Sequence, residues 1–496
     1  MVTFFVAFLV SLLVALVLTW RVRERALAWG WLDPVSSSRK VHVRPIPRLG
    51  GIGIVGGFFA PLCALFLVDS GVGDQFLAQT SLIVGLFVGG AIIAGLGFYD
   101  DLKGAGARLK FSVQFAVALG LYALGFRIEV LANPFGAELT LGLLSLPLTV
   151  LWVVGVINAL NLIDGLDGLA GGVAFFGVGT HLLLALMRGD VLLCLLMVSL
   201  AGAILGFLVF NFNPASIFMG DTGSMFLGFV LAAVSIKTSS KSGTAVALLV
   251  PVMALGLPIM DTLLAMVRRS MLGRPMFSAD REHIHHRLMS RLLLSHRTTV
   301  LVLYALCTLF MVTALALHFA NSVQSALLLS GIGVVIMVLM RKLGYLDMLR
   351  HMDVLQQTRQ RNLELRSLVR SVTAAVRAAG SFQEVWSAVR PLSAGLSLSA
   401  LELRLRRPHE DASGGVVFES QHPGAGAGAA LEVRLDVKEA DTPRGALRLV
   451  WRDGRAAIDR DEELALEVVA DAVAERVGQL VALEAADPAR IIALRR

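Results

Sequence analysis

Four side chains that offer oxygen or amide groups stand three residues apart between two apolar runs: Asn158, Asn161, Asp164 and Asp167. Glycines follow both aspartates, so a backbone could approach a ligand closely there. Such a group at the end of a membrane segment suits a metal-bound phosphate or a nucleoside. The alternative is an ordinary loop between helices, because such loops are rich in Asn, Asp and Gly. This stretch alone does not decide between the two.

A second acidic group is the pair Asp100 and Asp101, which ends another apolar run. Adjacent carboxylates repel each other, so one of them is expected to bind a cation or to hold a proton with a raised pKa. Both situations are typical of catalytic residues, although the same pair also occurs as an ordinary helix terminus. Lys110 and Gln114 follow on one face of the next helical segment.

A third polar stretch, residues 211–224, again lies between two apolar runs. Its oxygen donors are Asn211, Asn213, Asp221, Thr222 and Ser224. Hard oxygen donors without His or Cys favour Mg²⁺, with Mn²⁺ as a substitute, held by one or two carboxylates and by phosphate oxygens of a substrate. Phe218 in this polar loop offers a flat face for a base, and core packing is its default alternative.

Histidines are concentrated in a fourth stretch, where His283, His285 and His286 precede Arg287. Their spacing is not that of a tetrahedral zinc site. Arginine beside them matches the recognition of a diphosphate. We therefore expect phosphate or sugar contact here rather than metal ligation.

A fifth stretch, residues 38–51, is basic and stiffened by prolines, and it carries Lys40, His42 and Arg48. Its charge also orients the neighbouring membrane segment, which is the alternative to substrate binding. The five stretches combine carboxylates for a divalent cation, basic groups for phosphate and an adjacent bilayer. That combination predicts phosphoryl transfer between a soluble nucleotide and a lipid.

The elements that must position these groups are membrane helices. The chain has 496 residues, of which 56% are hydrophobic and 16% charged, and its mean hydropathy is +0.73. Such values exclude an ordinary soluble protein. About eleven spans are predicted near residues 2–20, 49–69, 79–98, 111–127, 141–158, 169–187, 190–210, 223–236, 245–266, 298–318 and 323–341. The three cysteines lie in apolar runs and imply neither a disulfide nor a zinc site.

Basic residues divide the loops into two sets. Loops 21–48, 103–110 and 268–297 are rich in Arg and Lys, whereas the opposite loops carry Arg127, Arg188, Lys237 and Lys241. The positive-inside rule places the first set and the C-terminal part in the cytoplasm, with the N-terminus outside. All five polar stretches then lie on the cytoplasmic face. This one-sided arrangement favours an enzyme over a transporter, which uses both faces.

The C-terminal third differs in composition from the rest and predicts a separate domain. We predict a transmembrane domain over 1–341, a helical linker over 342–379 and a soluble α+β domain over 380–496. One helix is expected from Arg341 to Ala379, and its apolar stripe indicates either a coiled coil or packing on the next domain. Strands are expected at 401–405, 416–419, 431–437 and 445–451, followed by a helix at 461–485. The unit resembles a GAF-type sensory domain. The expected fold is therefore an all-α polytopic membrane protein with a cytoplasmic α+β domain.

The motifs, taken in order, resemble those of the polyprenyl-phosphate N-acetylhexosamine-1-phosphate transferases over residues 36–300. They are Asp100-Asp101, Asn158-x-x-Asn161-x-x-Asp164-Gly-x-Asp167, Phe218-Met-Gly-Asp221, Pro258-x-x-Asp261 and His283-Ile-His-His-Arg287. The resemblance implies transfer of a sugar 1-phosphate from a UDP-sugar to a polyprenyl phosphate, with release of UMP and a requirement for Mg²⁺.

The resemblance also implies roles for individual residues. Asp221 and Asn161 would hold the metal, Asp100 would be the base or the partner of the lipid phosphate, and Asp101 would stand beside it. Asp167 and Phe218 would meet the uracil. The complete expected substrate-binding set is Lys40, His42, Arg48, Lys110, Asn158, Asp164, Asp167, Phe218, His283, His285, His286 and Arg287.

The form of the histidine motif is similar to the branch that transfers GlcNAc 1-phosphate, which starts the synthesis of a cell-surface glycan. We therefore expect UDP-GlcNAc as donor, a location in the cytoplasmic membrane, a homodimer and no nucleic-acid partner. Two alternatives are left open. They are the same reaction with another UDP-sugar, and a polytopic transporter of a phosphorylated solute.

Overall fold

The computed structural model describes ten stretches of the chain: residues 2–33, 46–67, 71–131, 139–240, 249–274, 282–345, 352–406, 415–421, 430–439 and 442–486. The chain divides into two compact units. One consists of Met1–Arg268 and Phe277–Arg350, and the other of Arg269–Met276 and His351–Arg496.

The first unit is built of helices that begin and end close to the predicted spans. Through residue 345 they are α1 Val2–Trp29, α2 Gly51–Ala64, α3 Gly71–Leu77, α4 Thr80–Lys103, α5 Ala107–Ala123, α6 Ser145–Leu162, α7 Leu169–Arg188, α8 Val191–Asn211, α9 Gly220–Ser240, α10 Leu249–Ala254, α11 Gly256–Met271, α12 Ile284–Leu292, α13 His296–Phe319 and α14 Ser322–Lys342. Two antiparallel pairs of short strands join them, β1 Leu32–Asp33 with β2 Ile46–Pro47, and β3 Val130–Leu131 with β4 Leu139–Thr140.

Seven of the described helices are long and apolar enough to cross a bilayer. They are Val2–Trp29, Thr80–Lys103, Gly142–Leu162, Leu169–Arg188, Val191–Asn211, His296–Phe319 and Val323–Lys342. The predicted count of eleven is therefore not reached by these criteria. In the predicted span 49–69, α2 has only 14 residues, which is about 21 Å of helix. In the predicted span 245–266, the described part contains α10 and α11, interrupted at Leu255.

Helix α9 lies at the centre of the first unit. Residues 222–236 of α9 are buried on every side, and α9 packs against α2, α4, α6 and α7. A helix without a charged or strongly polar face over most of its length is suited to such an interior position. Since Asp221 lies in the first turn of α9, the packing of the central helix fixes where this carboxylate can be.

The prediction of one helix from Arg341 to Ala379 is wrong. Helix α14 ends at Lys342, and α15 spans Met352–Ala378. Gly344 has a φ of +71°, which a right-handed helix cannot contain. Leu343 and Gly344 therefore end α14 with the N–H groups bonded back to Leu339 and Arg341.

The second unit is a four-stranded antiparallel sheet covered by helices. Its elements are α15, α16 Phe382–Val389, α17 Leu392–Gly395, β5 Ala400–Arg406, β6 Gly415–Gln421, β7 Leu431–Glu439, β8 Thr442–Trp451 and α18 Arg460–Ala486. The strand order is β6-β5-β8-β7. Leu401, Leu403 and Leu405 alternate along β5 and are buried with Val372 and Val376 of α15 in one core. The apolar stripe of α15 therefore packs within this unit.

The second unit also holds a short segment that follows α11 in the chain. The side chain of Asn362 donates to the carbonyl of Leu272 (2.9 Å), and Arg366 donates to the carbonyl of Gly273 (3.0 Å). Arg274 forms an ion pair with Asp461 at 2.8 Å. Residues 272–274 are thus bonded to both α15 and α18.

Candidate active site

The first turn of α9 is held by Asp101 at the end of α4. Asp101 accepts hydrogen bonds from the backbone N–H groups of Asp221 (2.8 Å) and Thr222 (3.0 Å) and from the hydroxyl of Thr222 (2.6 Å). A carboxylate at this position satisfies amides that have no partner within the helix. The approach requires Gly97, since a β-carbon there would lie 2.5 Å from Cα of Thr222. Asp101 therefore fixes the position of Asp221.

Lys110 lies between Asp100 and Asp221. Its Nζ atom is 2.7 Å from Oδ2 of Asp100 and 2.6 Å from Oδ2 of Asp221. The three side chains are 15 to 24% exposed, so a solute can reach them. The ends of α4, α5 and α9 thus bring one ammonium group and two carboxylates to a single accessible point.

Helix α6 contributes its two asparagines at different depths. Nδ2 of Asn161 donates to the hydroxyl of Ser224 (3.0 Å), one turn after Asp221. Nδ2 of Asn158 donates to Oε1 of Gln114 (2.7 Å), and Gln114 is buried one turn after Lys110. Asn161 therefore reaches the start of α9, whereas Asn158 joins α6 to α5 beneath it.

The loop between α6 and α7 adds Asp164 to the same acidic group. Burial raises the pKa of Asp164 from 3.8 to about 7, and the negative charges of Asp221, Asp101 and Asp167 act in the same direction. These carboxylates are thus one electrostatic unit. Asp164 binds a proton near neutral pH unless a cation compensates its charge.

Asp167 holds the loop that leads to α9. Its Oδ2 atom accepts hydrogen bonds from Nδ2 of Asn213 (2.9 Å) and from the N–H group of Ala215 (3.0 Å). Phe218 lies in this loop, half-buried, and its backbone bonds Pro47 and Gly50 at the start of α2. The carboxylate of Asp167 and the ring of Phe218 therefore belong to one structured loop.

The histidine stretch is anchored by Asp261 of α11. Asp261 is buried and accepts from the N–H group of Ile284 (2.8 Å), and it pairs with Nδ1 of His283 (2.9 Å). The ring of His285 is stacked on that of His283, with 5.8 Å between centroids. A β-carbon on Gly165 would lie 2.8 Å from Nε2 of His285, so His285 lies against the loop that carries Asp164. Burial lowers the pKa of His285 to about 3, and its imidazole is neutral at physiological pH.

Arg287 is held by neighbouring groups of the same unit. It pairs with Glu282 (2.7 Å) and donates to the carbonyl of Leu343 (2.9 Å). Its guanidinium lies 4.1 Å from the centroid of the Tyr345 ring, and the hydroxyl of Tyr345 donates to the carbonyl of Glu282 (3.0 Å). His286 follows His285 in the first turn of α12, with its ring 4.3 Å from that of His285.

The basic stretch before α2 reaches the acidic group through Arg48. A β-carbon on Gly220 would lie 2.2 Å from the carbonyl oxygen of Arg48 and 2.6 Å from Oδ2 of Asp101. The backbone of Arg48 therefore lies beside the start of α9. Lys40 and His42 fall outside the described residues.

Three residues at this site lie outside the sequence motifs described above: His296, Tyr304 and Tyr345. His296 accepts from the N–H group of Asp167 (3.0 Å), and Tyr304 donates to the carbonyl of Gly168 (2.5 Å). The available signal was weak. A histidine and a tyrosine two turns apart on an apolar helix are equally typical of a helix end and of core packing.

The donor set fits a hard divalent cation. It consists of carboxylate and amide oxygens, and burial together with neighbouring charge raises the pKa of Asp164, which marks an excess of negative charge. Within the part of the chain that the structure describes, no three His, Cys, Asp or Glu side chains form a ready ligand set. A cation would therefore be held by one or two carboxylates with oxygens of a substrate.

The fold and the site together define a multi-pass membrane protein with a cluster of carboxylates and one lysine at the ends of its helices. Residues 83–239, from α4 to α9, match the model of glycosyl transferase family 4. That range contains Asp100, Asp101, Lys110, Asp164 and Asp221 and ends before the histidine stretch.

Individual relatives extend this match. The probable undecaprenyl-phosphate N-acetylglucosaminyl 1-phosphate transferase of Bacillus subtilis (strain 168) is 40% identical over 322 residues, which are 65% of this chain and 87% of that protein. The decaprenyl-phosphate N-acetylglucosaminephosphotransferase of Mycobacterium leprae (strain TN) is 35% identical over 62% of this chain and 83% of its own length. The phospho-N-acetylmuramoyl-pentapeptide-transferase of Shouchella clausii (strain KSM-K16) is 34% identical over 49% and 75%.

The chain belongs to the polyprenyl-phosphate N-acetylhexosamine-1-phosphate transferases of glycosyl transferase family 4. The resemblance read from the motifs is confirmed at the level of the family. Its members are phosphotransferases, and this protein is accordingly an enzyme of that class.

Proposed function

We propose that the protein transfers N-acetylglucosamine 1-phosphate from UDP-GlcNAc to a polyprenyl phosphate and releases UMP. The observation that carries the proposal is Lys110, whose ammonium group bonds Asp100 and Asp221 at a point open to a solute. Acidic and basic groups at one point suit a diphosphate bound with a cation. The sugar is the finer part of the proposal, and it is supported by the names of the relatives from Bacillus and Mycobacterium.

Mg²⁺ is the cation that we propose for this site. Asp221, with Asn161 beside it, would hold Mg²⁺ together with phosphate oxygens of the donor. Bound there, Mg²⁺ would supply charge neutralisation for the leaving UMP. Mn²⁺, which accepts the same oxygen ligands, is the expected substitute.

The proposed reaction is a single in-line displacement. A phosphate oxygen of the polyprenyl phosphate attacks the β-phosphorus of UDP-GlcNAc, and the bond from this phosphorus to the bridging oxygen breaks. That oxygen leaves with UMP, and the lipid carries the sugar on a diphosphate. Lys110 would turn from the two carboxylates to the phosphates and stabilise the charge that develops on them.

Asp100 and Asp101 have different proposed roles. Asp100 would orient the lipid phosphate, and general-base help is not required, since a phosphate is already largely ionised at neutral pH. Asp101 would act as a positioning residue, because both its oxygens accept bonds from the first turn of α9. Isolation of a phospho-aspartyl enzyme would instead favour a two-step route.

The remaining substrate contacts are assigned by the resemblance and by position. The uracil would meet Asp167 and Phe218. The diphosphate and sugar would meet Arg48 and the stretch from His283 to Arg287. We also propose about eleven spans, a location in the cytoplasmic membrane with the site and the C-terminal unit in the cytoplasm, and a homodimer, which light scattering in detergent would check.

The test is an assay of the purified full-length protein with undecaprenyl phosphate and a panel of UDP-sugars. We expect Mg²⁺-dependent release of UMP with UDP-GlcNAc and slower release with other donors. A different preferred donor would correct the sugar only. No UMP with any donor, together with uptake of a phosphorylated solute into liposomes, would replace the proposal by a transporter.

A further inference from the structure

The backbone of Asp167 and Gly168 is held by side chains from two other helices. The N–H group of Asp167 donates to Nε2 of His296 (3.0 Å), and the N–H group of Gly168 donates to Oδ1 of Asn211 (3.0 Å). The carbonyl of Gly168 accepts from the hydroxyl of Tyr304 (2.5 Å). Three backbone polar groups of Asp167 and Gly168 are therefore bonded from α8 and α13.

Helix α7 begins without a side-chain cap. Its N-cap residue is Gly168, with a φ of +76° and no side chain that could accept from the first turn. The N–H group of Leu169 bonds the carbonyl of Leu166 within the loop, whereas the N–H groups of Asp167 and Gly168 bond side chains of α13 and α8. His296 and Tyr304, two turns apart on α13, supply one acceptor and one donor.

The packing of Tyr304 against Gly172 and Phe176 of α7 fixes the position of its side chain. A β-carbon on Gly172, one turn into α7, would lie 2.0 Å from Oη of Tyr304. A phenol can reach the carbonyl of Gly168 only because Gly172 leaves this space. The ring of Tyr304 also lies 5.5 Å from that of Phe176, measured between centroids, which completes the contact between α13 and α7.

We infer that His296 and Tyr304 are positioning residues that fix the carboxylates of Asp164 and Asp167 for the donor substrate. The inference rests on the proposed function, in which this loop meets the nucleotide and the cation. Both residues lie beyond residues 83–239, the part that matches the family model. Their role is exerted through the backbone of the loop, and neither needs to touch the substrate.

The hydrogen bond from Asp167 also defines the state of His296. An imidazole nitrogen can accept an N–H group only when that nitrogen carries no proton. The Nε2 atom of His296 therefore acts as the acceptor in this contact. Glutamine, whose amide oxygen accepts hydrogen bonds, is the conservative replacement, and leucine removes the acceptor.

The experiment compares His296→Leu, His296→Gln and Tyr304→Phe in the full-length protein. Leu301→Ala is the matched control, since Leu301 is exposed on the same helix. We expect His296→Leu to lower kcat by roughly 10- to 100-fold and Tyr304→Phe by roughly 5- to 20-fold. His296→Gln should recover most of the loss, and KM for polyprenyl phosphate should be unchanged in all variants.

A second measurement does not depend on turnover. Hydrogen–deuterium exchange of the peptide that contains residues 163–168 should be faster in His296→Leu than in wild type, His296→Gln and Leu301→Ala. Normal kinetics and normal exchange in both His296→Leu and Tyr304→Phe would overturn the inference. If His296→Leu does not fold, Tyr304→Phe still decides the question, because it removes one oxygen atom.

The two proposals fail in different ways. A wild-type protein that releases no UMP from any donor would contradict the proposed function, and exchange would then test the positioning of the loop alone. An active wild type whose α13 variants have wild-type kcat and exchange would contradict only the role of His296 and Tyr304.

Discussion

Carboxylates have opposite surroundings in the two units of this molecule. On the outer face of the C-terminal sheet, Glu402 pairs with Arg404 and Arg448, and Arg448 also pairs with Glu432. Hydrogen bonds from Arg404 and Arg448 hold the pKa of Glu402 below its ordinary value. Glu402 and Glu432 thus each have a basic partner from the fold itself.

At the helix ends of the membrane unit, acidic groups accumulate around one lysine. Lys110 bonds Asp100 and Asp221, and burial with neighbouring charge raises the pKa of Asp164 to about 7. The ionised form of these carboxylates is stabilised when a cation binds beside them. The comparison teaches that Glu402 and Glu432 are matched by basic groups of their own unit, whereas the carboxylates at the helix ends exceed the basic groups beside them, as is expected for a site that binds a cation or a ligand.

The largest expected effect is the loss of activity on Asp221→Asn. Removing this charge should lower kcat by roughly 1,000-fold or more, because the proposed Mg²⁺ loses its carboxylate. Asp453→Asn in the C-terminal unit is the matched control, since Asp453 is paired with Arg455 on the surface. UMP release and melting temperature in detergent check both variants. A folded Asp221→Asn protein with a normal Mg²⁺-dependent rate would refute the metal role.

Lys110→Met should come next, with kcat lower by roughly 100-fold. The variant leaves Asp100 and Asp221 without the ammonium group that now joins them. Lys110→Arg keeps the charge and should be intermediate, since a guanidinium does not fit the same point. A Lys110→Met protein as active as wild type would contradict the proposal that the acidic cluster around Lys110 is the active site.

The pH dependence of stability gives a smaller effect with a defined sign. The pKa of Asp164 rises from 3.8 to about 7 on folding, so the folded protein keeps a proton that the unfolded chain releases. Stability without Mg²⁺ should therefore fall as pH rises from about 4 through 7, by roughly a few kcal/mol. Asp164→Asn should reduce this fall, and Mg²⁺ should raise the wild-type melting temperature more at pH 8 than at pH 6. Equal pH profiles for wild type and Asp164→Asn would contradict the shift.

Much of the site could be predicted because each motif stands at the end of an apolar segment. Their helices pack with the same ends together, so that Asp100 and Asp221 both bond Lys110 and Asn161 bonds Ser224 in the second turn of α9. The strands of the C-terminal unit were predictable for a similar reason, since alternation along β5 has only one buried face.

The remaining features depend on tertiary contacts that no local pattern contains. Asp101 is sequentially beside Asp100, yet it bonds the first turn of α9, about 120 residues later in the chain. His296 and Tyr304 reach the 163–168 loop from a helix that is apolar by sequence. The break after α14 follows from the positive φ of Gly344, and a glycine in sequence does not reveal its φ.

Tyr345 contacts the histidine stretch from a position near the C-terminal end of the first unit. Its ring contacts Arg287 and its hydroxyl bonds the carbonyl of Glu282, so it belongs to the histidine stretch although it follows α14 in the chain. We expect Tyr345→Ala to lower kcat/KM by roughly 5- to 20-fold and Tyr345→Phe by about 3-fold or less. Steady-state kinetics with UDP-GlcNAc check this. Deletion of residues 345–496 should therefore lower activity more than a deletion that begins after Tyr345.

The smallest effect is expected for Arg448→Ala on the C-terminal sheet. This change removes the partner that Glu402 and Glu432 share, and it should lower the melting temperature slightly, because exposed ion pairs contribute little. Kinetics of UMP release should equal those of wild type, since these carboxylates are matched for structural reasons. A tenfold loss of kcat/KM in a folded Arg448→Ala protein would show that the sheet communicates with catalysis. The presence of an arginine partner would then not distinguish structural carboxylates from catalytic ones, and the contrast drawn between the two units would be wrong.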